Sequence, residues 1–282
     1  MNAFTLQNLI RCELETDQFT QDVTGKLLEE KALDTVQAVV FSKEKGVFSG
    51  VSTLEAFQKL FEKEVQFRWE IAEGQPLASG QEIVELTGSR RALLALERTL
   101  LNFLGHACGV ATLTRSYVEA VKPNRVQILA TRKTLPGLRP LQLTAVEAGG
   151  GKIHRRSLAD GILIKENHCA LQDEVTLLER AHRTRSPLHG IEIEVQNFDS
   201  LNKVLSAKHG PDVIMLDNFS AKEVQEAVSL IRNKLPDCRI EASGGVDLQS
   251  AGALAETGVD YISVGKLTHS VSVLNLSLDF RL

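Results

Sequence analysis

A chain of 282 residues is long enough for one large α/β domain, or for a barrel with a smaller companion domain. At 43% hydrophobic and 24% charged residues it has an ordinary soluble, globular composition. The 32 Lys and Arg are outweighed by 36 Asp and Glu, a net charge of −4 that argues against a nucleic-acid partner bound through a broad basic face.

In chain order, Phe4–Leu14 and Thr24–Leu33 are predicted as short helices. The stretch VQAVVFSKEKGVFSGV, 36–51, reads as two β-rich runs around a turn. Helical spacing follows over 53–61, strand-like alternation over 65–71, turn residues over 73–80 and a further strand over 82–88. Arg90–Leu104 is predicted as a long apolar helix closing this part. From Val126 the pattern changes. Short apolar runs at 126–130, 161–165, 190–195, 213–217, 239–243 and 259–265 alternate with helical stretches at 138–147, 171–183, 200–208, 221–234 and 248–257. Strands alternating with helices indicate a parallel sheet covered by helices. The six runs predict a (β/α) barrel that is incomplete unless more strands lie within 105–125 or around the glycines; a doubly wound open sheet is the alternative.

The four cysteines, Cys12, Cys108, Cys169 and Cys238, are scattered, with no C-x-x-C pair. They speak against a disulfide scaffold or a cysteine-rich zinc site and fit a cytoplasmic setting. The N-terminal stretch lacks the apolar core of a signal peptide. The most apolar segment, 92–113, is broken by Glu97 and Arg98, so no membrane span is expected.

Between Thr131 and His168 stand seven basic residues, Arg132, Lys133, Arg139, Lys152, Arg155, Arg156 and Lys165, against Glu147, Asp160 and Glu166. This local excess of four positive charges on an acidic chain reads as a focused anion site. Each apolar run also ends in polar residues: Thr131-Arg132-Lys133, Lys165-Glu166-Asn167-His168, Asp217-Asn218, Ser243-Gly244-Gly245 and Gly265-Lys266, while Glu192 and Glu194 lie two apart within the third run. In a parallel barrel the C-terminal strand ends meet at one rim, where such barrels place their active sites. Lys152 and Arg156 read more readily as solvated charges. The glycines 149–151 beside His154 are compatible with a ligand-approaching loop or with plain flexibility.

The pattern TRKT-x-PG-x-R, AV-x-x-GGG-x-x-HR, L-x-D-x-x-L-IK-E-NH, then IEIEV, IMLDNF, EASGGV and SVGKLT closely resembles the quinolinate phosphoribosyltransferase family from about Glu97 onward. Upstream, 22-DVTG-25 and 46-GVFSG-50 continue it more weakly. The resemblance implies an N-terminal α/β sandwich domain over 1–107 and an incomplete (β/α) barrel over 108–267, with the tail 268–282 free to pack against the former. It implies transfer of phosphoribosyl from phosphoribosyl pyrophosphate to quinolinate, with decarboxylation, in NAD biosynthesis. Mg²⁺ is the implied cofactor, with no organic cofactor, and a homodimer with shared active sites is the implied assembly, a higher oligomer being left open.

By the same resemblance, Arg132, His154, Arg155 and Lys165 bind quinolinate, and Arg98 reaches it from the neighbouring subunit. Lys133, Glu194 and Asp217 serve phosphoribosyl pyrophosphate, the two acids also Mg²⁺. Ser243, Gly244, Gly245 and Gly265 cradle phosphate, and Asn167 and His168 are secondary candidates. Catalysis is expected from Lys133, Lys165, Glu194 and Asp217. Two departures, Ile153 where the family has Asn and Arg156-Ser157 after the His-Arg pair, bear on loop geometry. The competing readings are a molybdate-transport-associated paralogue, a Schiff-base lyase using Lys165, and a non-catalytic anion-binding module.

Overall fold

The computed structural model describes residues 3–28 and 34–281. In chain order the strands are β1 (Thr35–Ser42), β2 (Gly46–Val47), β3 (Val65–Arg68), β4 (Pro76–Leu77), β5 (Glu82–Ser89), β6 (Gln127–Ala130), β7 (Lys152–Ile153), β8 (Ile162–Ile164), β9 (Ile191–Val195), β10 (Val213–Asp217), β11 (Arg239–Ser243), β12 (Tyr261–Val264) and β13 (Leu276–Arg281). The helices are α1 (Ala3–Thr16), α2 (Val51–Leu60), α3 (Arg90–Ala120), α4 (Arg139–Gly149), α5 (Glu166–Cys169), α6 (Glu174–Thr184), α7 (Phe198–Ser206), α8 (Ala221–Lys234), α9 (Leu248–Ala255) and α10 (Lys266–His269). The helix expected over Thr24–Leu33 is a short 3₁₀ turn at 25–28, and its continuation to Leu33 lies outside the described residues.

The chain forms two compact units. The first takes the residues up to Arg115, together with Leu135–Gly150 and the segment from Val271. The second takes Ser116–Thr134 and Gly151–Ser270. The tail from Val271 joins the first unit, a packing the sequence reading left open, while Leu135–Gly150 and residues 108–115 also belong there and not to the barrel as expected.

The first unit carries an antiparallel sheet in the order β13-β1-β5-β3. Its strands are rich in β-branched and aromatic residues, as in 35-TVQAVVFS-42. Leu93, Leu96, Leu100, Leu104, Ala107 and Ala111 recur at helical spacing along α3 and are fully buried. Helix α3 runs on well past Leu104, where the sequence reading ended it, and so the segment 105–120 hides no strand. The glycines Gly105 and Gly109 within it serve a close approach. A Cβ on Gly109 would lie 2.1 Å from the carbonyl of Ser272, and Leu274 N–H donates to the Gly105 carbonyl at 3.0 Å. Without side chains at 105 and 109, the segment leading into β13 lies directly on the helix backbone. Helix α2 starts at a glycine, and Glu73 supplies its cap from a distance: its Oε1 accepts from Gly50 N–H at 2.9 Å and Val51 N–H at 2.8 Å.

The second unit holds seven parallel strands in the order β7-β6-β12-β11-β10-β9-β8. This order runs round the chain sequence without reversal, with one opening between β7 and β8. A doubly wound sheet would reverse direction at a switch point; this sheet is an incomplete barrel. The seventh strand, β7, is the two-residue run after the glycines. Ile193, Val195, Ile214, Leu216, Ile240, Ala242, Ile262 and Val264 are buried, and helices α6 to α9 bury Leu178, Leu201, Val204, Val224, Ile231 and Leu254. Four of these helices begin at capped residues, Asp173, Asn197, Ser220 and Asp247, each accepting a backbone N–H of its first turn. The caps end each strand-to-helix loop quickly and keep the strand ends close together. No helix among the described residues is long and apolar enough to cross a membrane.

Candidate active site

Side chains alternate along a strand, so the residues between the buried aliphatics face the barrel interior. On β9 these are Glu192 and Glu194, on β10 Met215 and Asp217, on β11 Glu241 and Ser243. Parallel pairing sets their heights. Met215 lies opposite Glu194 on one side and Glu241 on the other, and Asp217 lies opposite Ser243. Above them is a cavity of about 490 Å³, lined among others by Thr131, Arg132, Lys133, His154, Arg155, Lys165, Glu166, Glu194, Asp217, Ser243 and Ser263. The strand-end residues singled out in the sequence thus converge on one hollow, except where noted below.

Two ion-paired groups organise it. Lys165 Nζ contacts Glu194 Oε2, the carboxylate side chain being only 4% exposed. Glu194 is pushed up to about 7 by burial and by its hydrogen bond with Glu166, against the pull of Lys165. The second group lies deeper. His154 Nε2 is 2.7 Å from Glu192 Oε2 and 3.4 Å from Glu241 Oε2. Glu241 is pushed up to about 8, by burial and then by Glu192. Glu192 and Glu194 share a face, as their spacing indicated, yet they serve different cations.

The basic wall is under internal repulsion. Burial and then the charge of Arg132 both lower the pKa of Arg155, and Arg132 Nε is buried without a hydrogen-bond partner. Clustered cations in this state favour an anionic ligand.

The loops are built to hold these groups still. Lys133 N–H donates to Thr131 Oγ1 at 3.1 Å, and Thr268 Oγ1 donates to the Lys133 carbonyl at 2.7 Å. Gly265 leaves room for Lys133, since a Cβ there would come within 3.2 Å of its Cδ. Gly244 has φ +92 and sits against Asn218, whose Oδ1 would lie 2.3 Å from an added Cβ. Asn218 Nδ2 in turn donates to Asp217 Oδ2 at 2.6 Å. Asp160 accepts from Arg156 N–H at 2.7 Å and Ser157 N–H at 3.1 Å, so the departure at Arg156-Ser157 is absorbed by an acid that closes the loop. The glycines 149–151 end α4, with Gly150 at φ +94, and lead into β7; the turn, not a ligand, accounts for them.

Not every predicted residue lines the cavity. Gly244, Gly245 and Gly265 stand in the loops after β11 and β12. Asn167 and His168 are exposed on α5; His168 Nδ1 accepts the Lys165 N–H at 2.9 Å and so fixes the start of that helix. Arg98 does not line the cavity and is exposed on α3. Among the described residues it has no ion-pair or hydrogen-bond partner. Sequence reasoning named Glu166 at a strand end without giving it a role, and missed Glu241 and Ser263. The last two stand two residues before Ser243 and Gly265, so strand alternation alone would have placed them on the same face.

Two residue sets offer carboxylate oxygens to a cation. Glu194 and Asp217 share the cavity with hard oxygen donors, which suits Mg²⁺. The donor atoms of His154, Glu192 and Glu241 lie within 4.8 Å of one another. Their 2.7 Å contact is a direct hydrogen bond, and the imidazole already serves both acids, so this trio is a hydrogen-bonded cluster.

Fold and site together define a barrel enzyme for a small substrate that carries several negative charges. The comparisons with known proteins narrow this. The family model for the quinolinate phosphoribosyl transferase N-terminal domain matches residues 22–108, and that for its C-terminal domain matches residues 110–279. The chain is 41% identical over 239 residues to a nicotinate-nucleotide pyrophosphorylase (carboxylating) of Mycobacterium leprae, covering 84% of each. Its fold matches a nicotinate-nucleotide pyrophosphorylase of Francisella tularensis with a TM-score of 0.91 at 35% identity, over 100% of this chain and 98% of the other. It also matches NadC of Streptococcus pyogenes with a TM-score of 0.89 at 33% identity, over 100% and 99% of the two chains. The chain belongs to the quinolinate phosphoribosyltransferase family.

Proposed function

We infer that this chain transfers the phosphoribosyl group of phosphoribosyl pyrophosphate to quinolinate, giving nicotinate mononucleotide, pyrophosphate and CO₂. The observation that carries the reading is one cavity in which Arg132, Lys133, Arg155 and Lys165 face Glu194 and Asp217. Two like charges about 4 Å apart repel by roughly 4 kcal/mol at an effective dielectric near 20, so a dicarboxylate and a pyrophosphate relieve the cations.

In this reading Arg132, His154, Arg155 and Lys165 hold the carboxylates of quinolinate. Lys133 meets the pyrophosphate, and the loops at Ser243, Gly244, Gly245 and Gly265 take the phosphate. Glu194 and Asp217 bind ribose hydroxyls. They would also hold Mg²⁺, which supplies charge neutralisation for the departing pyrophosphate. The pyridine nitrogen attacks the sugar C1 as pyrophosphate leaves, through an oxocarbenium-like state. Loss of CO₂ follows; the electron pair left on the ring carbon is stabilised by the positive ring nitrogen until that carbon takes a proton from solvent. Such chemistry rests on positioning and electrostatics and needs no dedicated general base. Arg98 acts from the neighbouring subunit of a homodimer.

The direct test is to supply quinolinate, phosphoribosyl pyrophosphate and Mg²⁺ and to measure nicotinate mononucleotide and CO₂; absence of both refutes the reading. Nicotinate, which lacks one carboxylate, is expected to be poorer in kcat/KM by about 100-fold or more, because cations that the bound substrate covers would be left without a partner. Equal use of the two acids would contradict a site built for a dicarboxylate. Lys133→Ala is expected to abolish most turnover and weaken phosphoribosyl pyrophosphate binding. Calorimetry with quinolinate alone should show near-unchanged affinity; an equal loss there would mean that Lys133 serves the other substrate.

A further inference from the structure

The deeper ion-paired group has no part in the reading above beyond His154 itself. His154 follows the edge strand β7, yet its Nε2 meets Glu192 on β9 and Glu241 on β11. The sheet is open between β7 and β8, and β9 is the strand next to β8. The contact therefore ties one side of that opening to the other through the barrel interior. Glu241 has a side chain only 1% exposed, and the Ser263 hydroxyl and Glu192 lie against it in the same buried cluster. Such groups are rarely left inside a protein without a purpose.

Both acids address the same imidazole nitrogen. A neutral imidazole carries one N–H. If that proton sits on Nε2, as the contacts with Glu192 and Glu241 require, Nδ1 offers a lone pair and repels an incoming carboxylate. Only the imidazolium satisfies the acids below and still donates from Nδ1. Nδ1 takes part in neither buried contact, and His154 lines the cavity.

We propose that Glu192, backed by Glu241, is a positioning residue for quinolinate: it fixes the His154 ring across the barrel opening and keeps Nδ1–H as a donor to a substrate carboxylate. The inference rests on the functional reading above and extends it to residues that do not touch substrate. The local charges agree. Burial lowers the pKa of His154, but the hydrogen bond it donates to Glu192 and the charges of Glu241 and Glu192 raise it more, and Arg155 opposes them; the net direction is upward. The groups facing the ring are Arg155 from its own segment, Glu192 from β9 and Glu241 from β11, with Ser263 of β12 beside Glu241 and Arg132 beside Arg155. A raised pKa means that the charged ring is complete at low pH and is lost as pH rises through the raised value. Quinolinate affinity should fall over that same range.

The test combines a substrate-free and a kinetic measurement. Histidine-labelled protein is titrated by NMR, with His154→Gln identifying the resonance. Wild type should titrate above the ordinary histidine value of about 6.5. Glu192→Gln, which keeps the shape and removes the charge, should bring the midpoint below it. The same variant should raise KM for quinolinate about ten-fold or more above neutral pH, the effect of one charge-assisted hydrogen bond, with KM for phosphoribosyl pyrophosphate little changed. The fall in quinolinate affinity should move to lower pH. A wild-type midpoint at or below the ordinary value overturns the proposal without any variant. So does a Glu192→Gln protein that titrates and binds quinolinate as wild type does, or one that loses both substrates equally. If quinolinate is not turned over at all, the functional reading fails, and the substrate-free titration still decides how His154 is held.

Discussion

Lys165→Ala is expected to lower kcat/KM by about 100- to 1000-fold, the range found when one preorganised charge is removed from a reacting site. The geometry gives two reasons. The ammonium is lost from the cavity, and Glu194, with a side chain 4% exposed, loses its cationic partner. The fold should nevertheless survive. Glu194 is already pushed up to about 7, so it can take a proton instead of remaining a buried, unpaired anion. Thermal unfolding monitored beside steady-state kinetics separates the two effects. A variant that unfolds at room temperature would show that the ion pair is structural first. The same pair bears on the Schiff-base alternative. Imine formation needs an amine free to attack a carbonyl, and Lys165 Nζ is held against Glu194 instead. Borohydride in the presence of substrate should therefore trap no adduct on Lys165.

A comparable loss is expected from Arg98→Ala, but with an outcome that no single-chain site would give. Arg98 is exposed on α3 and has no partner among the described residues, so a role in stabilising its own chain finds no support. If it completes the site of a neighbouring subunit, Arg98→Ala and Lys165→Ala should each be nearly inactive alone. After subunit exchange, mixed dimers place both lesions in one site and leave the other intact. Random exchange then restores up to about a quarter of wild-type activity, since half the dimers are mixed and each has one whole site of two. With exchange verified by a tag, the absence of recovery would exclude action in trans.

Most of the barrel could be read from the sequence because a parallel strand buried on both faces is a short, nearly continuous apolar run with polar residues at its end. That signature found β6 and β8 to β12. It left β7 only as a further strand that could lie around the glycines, because a two-residue edge strand is too short for any period to show. It also ended α3 at Leu104, whereas the helix continues through Gly105 and Gly109, whose lack of side chains is explained by the backbone of residues 272–274, far away in sequence. The site was legible where charge is conspicuous, as at Arg132, Lys133, Arg155 and Lys165. Glu241 and Ser263 were hidden inside runs that look like ordinary strand, and only pairing register brings them beside His154 and the cavity. The split of the chain was the least accessible feature, since which unit a segment joins depends on packing that local pattern does not carry.

The position of β13 has a consequence for synthesis. Its partner, β1, is made about 240 residues earlier, and the close approach at Gly109 also waits for Ser272. A nascent chain therefore presents β1 with one edge unpaired while the entire second unit is being translated. An open β edge is a template for pairing with other chains. In the second unit strands β8 to β12 each pair with the next to emerge, and only β6 waits for β12, whereas the sheet of the first unit closes last of all, at β13. Cells making this protein face their greatest aggregation hazard in the interval before the final strand leaves the ribosome, and a truncation just before β13 would make that interval permanent.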